Sequence, residues 1–128
     1  MSFLDNSNAL YTAPRRAWLS KNNFQNSHSN ALIAYGSTVQ YADEVEVSNN
    51  NFVNLIRPIN VDYTKKAIVS ENYLENSQLN QRMHSKGIFL SAVPEAIIER
   101  NKLSHFNYGI EASFNSKAQV MDNKGCDI

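Results

Sequence analysis

From His105 to Phe114 polar and apolar residues alternate without a break: Phe106, Tyr108, Ile110, Ala112 and Phe114 are apolar, while His105, Asn107, Gly109, Glu111 and Ser113 are not. A period of two puts all five apolar side chains on one face of an extended chain, whereas a helix would scatter them around its axis. The segment reads as a half-buried antiparallel strand with Tyr108 facing inward, where a charge would cost several kcal/mol. Asn115-Ser116 then reads as a two-residue turn into a second arm over residues 117–121.

A weaker alternation runs upstream. Val39, Tyr41, Val45 and Val47 fall on alternate positions, interrupted at Asp43, as in a strand carrying a bulge or an exposed edge. Ser48-Asn49-Asn50-Asn51 reads as a hairpin loop into Phe52-Val53-Asn54-Leu55-Ile56-Arg57. Pro58 has no N–H to give a ladder, so Ile59, Val61 and Tyr63 continue as an edge or a kinked strand. Between Ser70 and Lys86 the pattern turns helical, with Ser70 as N-cap, Tyr73, Leu74, Leu79 and Met83 as an apolar stripe and Gly87 as the stop. Ile88 to Val93 is of buried-strand length, and Pro94 opens a second helix running to Leu103.

These elements sum to an α+β domain at 31–121: a small antiparallel sheet of five to six strands with two helices. An extended N-terminal arm and linker at 1–30 precedes it, and a polar tail at 122–128 follows. The boundary rests on Ser20 to Asn30, where Phe24 is the single strongly apolar residue and no period is present. No internal repeat at a fixed period is visible. The chain has 18 Asn but only 4 Gly and 3 Pro, so Asn is the expected turn residue.

Composition excludes more than it assigns. Twelve Lys+Arg balance twelve Asp+Glu for a formal net charge of +0, which argues against electrostatically driven binding of nucleic acid. The longest uninterrupted apolar run is Ala31 to Tyr35, far short of the ~20 residues a membrane helix needs. The first six residues lack a basic and apolar signal pattern, so secretion by a signal peptide is not expected, and a virion or cytoplasmic location is. The single Cys126 permits no intramolecular disulfide and no Cys-based zinc site. No metal and no cofactor is expected.

Nor is a catalytic constellation visible. His28, His84 and His105 lie far apart, the glycines at 36, 87, 109 and 125 form no phosphate loop, and no Gly-x-Ser-x-Gly elbow occurs. Glu95 and Glu99, one turn apart on the expected helix, read as a solvated face, and Glu71 and Glu75, near the start of the other helix, as negative charge that stabilises a helix N-terminus. The expectation is therefore a non-enzyme with no catalytic residues. Arg15, Arg16 and Trp18 remain: a planar charged fork and a large rigid ring beside a flexible segment, the residue types that anchor protein interfaces.

The function that follows is a structural or assembly subunit of a large multi-protein particle, by analogy a virus or bacteriophage part. It would dock on a protein partner or on its own copies through the arm and through exposed strand edges. Two alternatives stay open: a soluble adaptor recognising one protein through the arm, and a small hydrolase or nuclease whose site is scattered along the chain.

Overall fold

The computed structural model describes residues 2–4, 9–12, 16–25, 35–55, 57–76, 85–113 and 117–126. Among them every regular element is a short strand. In chain order these are β1 (Ser2–Leu4), β2 (Ala9–Thr12), β3 (Arg16–Ser20), β4 (Asn23–Gln25), β5 (Tyr35–Gln40), β6 (Glu44–Ser48), β7 (Asn51–Val53) and β8 (Arg57–Asp62). There follow β9 (Lys66–Ser70), β10 (Tyr73–Glu75), β11 (Lys86–Ser91), β12 (Glu95–Glu99), β13 (Lys102–Ser104), β14 (Tyr108–Ser113), β15 (Ala118–Met121) and β16 (Lys124–Cys126).

Each strand pairs in parallel with the third strand before it and the third after. Sheet A has the order β1-β4-β7-β10-β13-β16, sheet B the order β14-β11-β8-β5-β2, and sheet C the order β15-β12-β9-β6-β3. The chain visits B, C and A in turn and then repeats, winding a parallel solenoid with three faces. Partners in sheet A lie 21, 28, 22, 29 and 22 residues apart, read from Phe3↔Phe24↔Phe52↔Leu74↔Leu103↔Gly125.

Like residues stack on like along the inside. Val47, Val69 and Ile98 are in register in sheet C, Val39, Val61 and Leu90 in sheet B, and Phe52, Leu74 and Leu103 in sheet A, and all nine are buried. Strands of three to six residues cannot bury a face alone; stacking of successive turns makes the core continuous.

The corners are sharp. Among the described residues ten non-glycines sit at positive φ and no glycine does: Tyr41, Tyr63 and Ala92 between sheets B and C, Lys21, Asn49, Glu71, Arg100 and Asp122 between C and A, and Asn54 and His105 between A and B. Each such residue costs about 1–2 kcal/mol unless its surroundings enforce it. At the C-to-A corner the enforcing group is the next residue. Asn22, Asn50, Asn72, Asn101 and Asn123 form an internal ladder. The backbone N–H of Asn50 donates to Asn72 Oδ1 at 3.0 Å, that of Asn72 to Asn101 Oδ1 at 3.0 Å, and that of Asn101 to Asn123 Oδ1 at 3.0 Å. The Nδ2 of Asn50, Asn72, Asn101 and Asn123 donates to a carbonyl of the preceding turn, that of Leu19, Val47, Val69 and Ile98 in order.

This architecture replaces the expected α+β fold. The stretch read as a first helix contains the end of β9, a corner and β10 before residues 77–84, which lie outside the described residues, and Lys86 starts β11. The second expected helix is β12, the Arg100 corner and β13. Ala96 and Ile98 point inward while Glu95, Ile97 and Glu99 do not, a period of two that Pro94 and a helix-length run disguise. Ser48 to Asn51 is a corner and not a hairpin, because Asn49 turns the chain onto a new face and Asn50 joins the ladder. The expected turn at Asn115-Ser116 lies outside the described residues.

β14 is a strand where the alternation places one, but it runs parallel to β11. Ile110 and Ala112 are in register with the buried Ile88 and Leu90, whereas Tyr108 stands opposite Lys86 at the strand's start and is 52% exposed. The repeat not visible in the sequence is the solenoid turn itself. Residues 16–25, within the segment expected to be arm and linker, form β3 and β4, paired in register with β6 and β7.

Candidate docking face

Sheet C turns Val45, Val47, Ala67, Val69, Ala96 and Ile98 to the core, so the residues between them line its outer surface in rows, one residue per turn. The middle row is Trp18, Glu46, Ile68, Ile97 and Gln119, in register across β3, β6, β9, β12 and β15. Adjacent rungs of a sheet are ~4.8 Å apart, so the row is a straight strip of side chains on a rigid floor.

Trp18 is the chain's one tryptophan, and 72% of it is exposed. It belongs to none of the buried stacks, while its neighbour Leu19 is buried. Strand alternation explains both: Leu19 in register with Val47 faces the core, and Trp18 opposite Glu46 must face out. Ile68 and Ile97 in the same row are half-buried, so the strip has an apolar part beyond the indole.

The second row alternates in charge. Arg16, Glu44, Lys66 and Glu95 stand in register, and Lys117 immediately precedes the residue paired with Ala96. Opposite charges directly across adjacent strands contribute roughly 0.2–1 kcal/mol per pair, and like charges would oppose pairing. Between β12 and β15 the face dips into a recess of about 220 Å³ lined by Pro94, Glu95, Ala96, Ile97, Lys117, Ala118 and Gln119. Pockets for small molecules run about 300–1,000 Å³, so this one suits a single side chain.

Of the three residues expected to anchor a partner, Trp18 stands at one end of this strip. Arg16 occupies the register position opposite Glu44, and Arg15 lies outside the described residues. Reasoning from sequence missed Ile68, Ile97 and the alternating row, which become neighbours only once the turn length is known. The signal was present as residues spaced like the ladder asparagines: Glu46, Ile68, Ile97 and Gln119 precede Asn50, Asn72, Asn101 and Asn123 by four residues in each turn.

Other polar groupings are self-contained. On sheet B, Lys86 Nζ lies 2.7 Å from Glu111 Oε2 and 4.5 Å from the centre of the Phe89 ring, whose other cationic neighbour is Arg57 at 6.0 Å. At the B-to-C corner Tyr41 and Tyr63 stack at 5.2 Å beside the Asp43–Lys65 ion pair. Arg100 bridges Glu71 and Glu99. Glu95 and Glu99, on a strand and not a helix, are separated by roughly 13 Å at ~3.3 Å per residue and do not form a pair. His28 and His84 lie outside the described residues, and His105 is a corner residue. Among the described residues no group of three or more His, Cys, Asp or Glu could hold a metal ion, and no helix is long and apolar enough to cross a membrane.

The comparisons with known proteins come to one positive finding. The family model described as "Right handed beta helix region" matches residues 3–125. No curated protein and no solved structure matches the chain.

Proposed function

Because the chain belongs to the right-handed β-helix family, its side chains can act on other molecules only from the outside of a filled solenoid, and we propose that it is a non-enzymatic structural module of a larger assembly that docks through the outer face of sheet C. The observation that carries this reading is Trp18, held 72% exposed on a strand in line with the half-buried Ile68 and Ile97. A large ring on a rigid floor loses little conformational freedom on binding, and Trp is the residue type most enriched among interface anchors. The balanced net charge fits a protein partner better than a polyanion.

On this reading Trp18 is the anchor, carried on a solenoid strand, and Arg16 holds the register position opposite Glu44. The setting is that of a particle component, whose work is to hold a fixed shape against its neighbours.

Size-exclusion of an extract from the cells that naturally make the chain tests the reading. The chain should elute in a complex, and Trp18→Ala should release it to the monomer position with its circular dichroism unchanged. Elution of the native chain as a free monomer would defeat the proposal.

A further inference from the structure

We infer that the partner seated on sheet C is a second copy of this chain, in a two-fold dimer whose axis runs parallel to the strands between β6 and β9. The inference rests on the docking reading above and adds the identity of the occupant. Two observations point to it.

The first is charge. The row Arg16, Glu44, Lys66, Glu95 alternates rung by rung. A two-fold axis parallel to the strands reverses the order of the rungs. Placed on a strand it would set like charge over like, because an alternating row is the same read from either end. Placed midway between β6 and β9, it sets Glu44 over the partner's Lys66 and the position of Arg16 over the partner's Glu95. One shift of half a rung therefore sets every charge of this row over its opposite, and does so twice, as an isologous contact must, while Glu46 in the middle row comes over the partner's Ile68.

The second is the fit of anchor and socket. The same operation carries Trp18 onto the partner's Ile97, at the rim of the recess of about 220 Å³ lined by Ile97, Lys117 and Gln119. Anchor and recess lie on one face of one chain, so a single copy supplies both halves of the contact. Interface anchors are typically large side chains filling such pockets.

Size sets the strength of the contact. Four strands overlap, and at ~4.8 Å per strand and ~3.3 Å per residue they present roughly 300 Å² of face from each copy. That is well below the ~800 Å² per partner of a standard stable interface, so the dimer is weak and concentration-dependent.

The sole tryptophan lies in this contact, which makes its emission a direct report on the face. Purified chain, kept reduced, is examined from about 10 µM to 1 mM by sedimentation equilibrium and by Trp18 fluorescence. The mass should rise from monomer toward dimer with a blue shift of Trp18 emission that follows it. Ile97→Asp should weaken association at least tenfold. Lys66→Glu should weaken it as well, and Glu44→Lys combined with Lys66→Glu should restore it, since the double change inverts both cross-copy pairs between positions 44 and 66, keeps them attractive and leaves the pairs between positions 16 and 95 unchanged. Circular dichroism identifies any variant that fails to fold, and Gln119→Arg, at the rim, offers a second block if Ile97→Asp does.

A chain that stays monomeric to 1 mM would overturn the proposal, as would a dimer that leaves Trp18 emission unchanged. Monomeric purified chain together with a Trp18-dependent complex in extract would overturn the second copy while leaving the docking face intact. Monomer in both would overturn both.

Discussion

Replacing Asn72 by Ala removes one rung of the internal ladder, and the cost follows from the groups it leaves behind. Asn72 is buried; its Nδ2 donates to the Val47 carbonyl at 2.9 Å and to Asn101 Oδ1 at 2.9 Å, and its Oδ1 accepts from the Asn50 backbone N–H at 3.0 Å and from Asn50 Nδ2 at 3.1 Å. Two of these partners have alternatives: Asn101 Oδ1 still accepts from the Asn72 backbone N–H, and Asn50 Nδ2 still donates to the Leu19 carbonyl. The Asn50 N–H and the Val47 carbonyl lose the bonds that Asn72 makes to them. An orphaned buried polar group costs about 1–3 kcal/mol, which gives about 2–6 kcal/mol for the pair. For a chain stable by roughly 5–15 kcal/mol this is a large fraction, equivalent to a fall in Tm on the order of 10–20 °C.

Urea unfolding followed by circular dichroism measures it, with Asn123→Ala as the internal comparison. Asn123 belongs to the last described turn and is half-buried; its loss frees the corresponding pair, the Asn101 N–H and the Ile98 carbonyl, at a site that water reaches, so it should cost less. A loss below about 1 kcal/mol for Asn72→Ala would refute the view that the ladder holds the positive-φ corners in place.

Three further perturbations test other parts of the fold. Gly87→Ala would bring a Cβ within 2.7 Å of the Gly109 carbonyl oxygen and of Leu103 Cδ2, so a loss of about 1–3 kcal/mol in urea unfolding is expected. Asp122→Gly relieves an exposed residue at φ 55° and should leave stability unchanged or raise it by up to about 1 kcal/mol; a loss of Tm would contradict the assignment of strain to that corner. Tyr108→Asp should cost less than about 1 kcal/mol by thermal melting, because the ring is exposed; a loss of several kcal/mol would restore the inward face that alternation alone implies.

What the sequence disclosed and what it concealed divide along one physical line. Alternation is local, and it marked extended chain at Val39–Val47, Ile59–Tyr63 and Phe106–Phe114 because inward and outward side chains follow each other within a few residues, but it read β5 and β6 as one bulged strand where Tyr41 turns the chain from sheet B to sheet C. Pairing partners are not local. A hairpin and a solenoid corner both need a tight polar turn, and Ser48-Asn49-Asn50-Asn51 satisfies either; only Asn72 and Asn101, at 22 and 51 residues' distance, show which one it is. The repeat was hidden by its own irregularity. Turns of 21 or 22 residues alternate with turns of 28 or 29, the additional residues falling within 26–34 and 77–84, so no single period aligns the chain with itself.

The abundance of Asn was noticed and assigned to αL turns, yet only Asn49 and Asn54 of the ten positive-φ residues are Asn. The asparagines that matter stand one place later, where a short amide can bond both up and down the stack. The triplets Asn50-Asn51-Phe52, Asn72-Tyr73-Leu74 and Asn101-Lys102-Leu103 were the readable form of that rule: a ladder amide, an outward residue and a core residue. The docking face shows the same division. Trp18 stood out by its chemistry, but whether such a ring belongs to a core or to a surface depends on the parity of its strand, and Leu19 settles that parity by pairing with the buried Val47. Chain length added within 26–34 and 77–84, between sheets A and B, leaves the rows of sheet C in register, so that face is insulated from length variation there by the winding and not by any single residue.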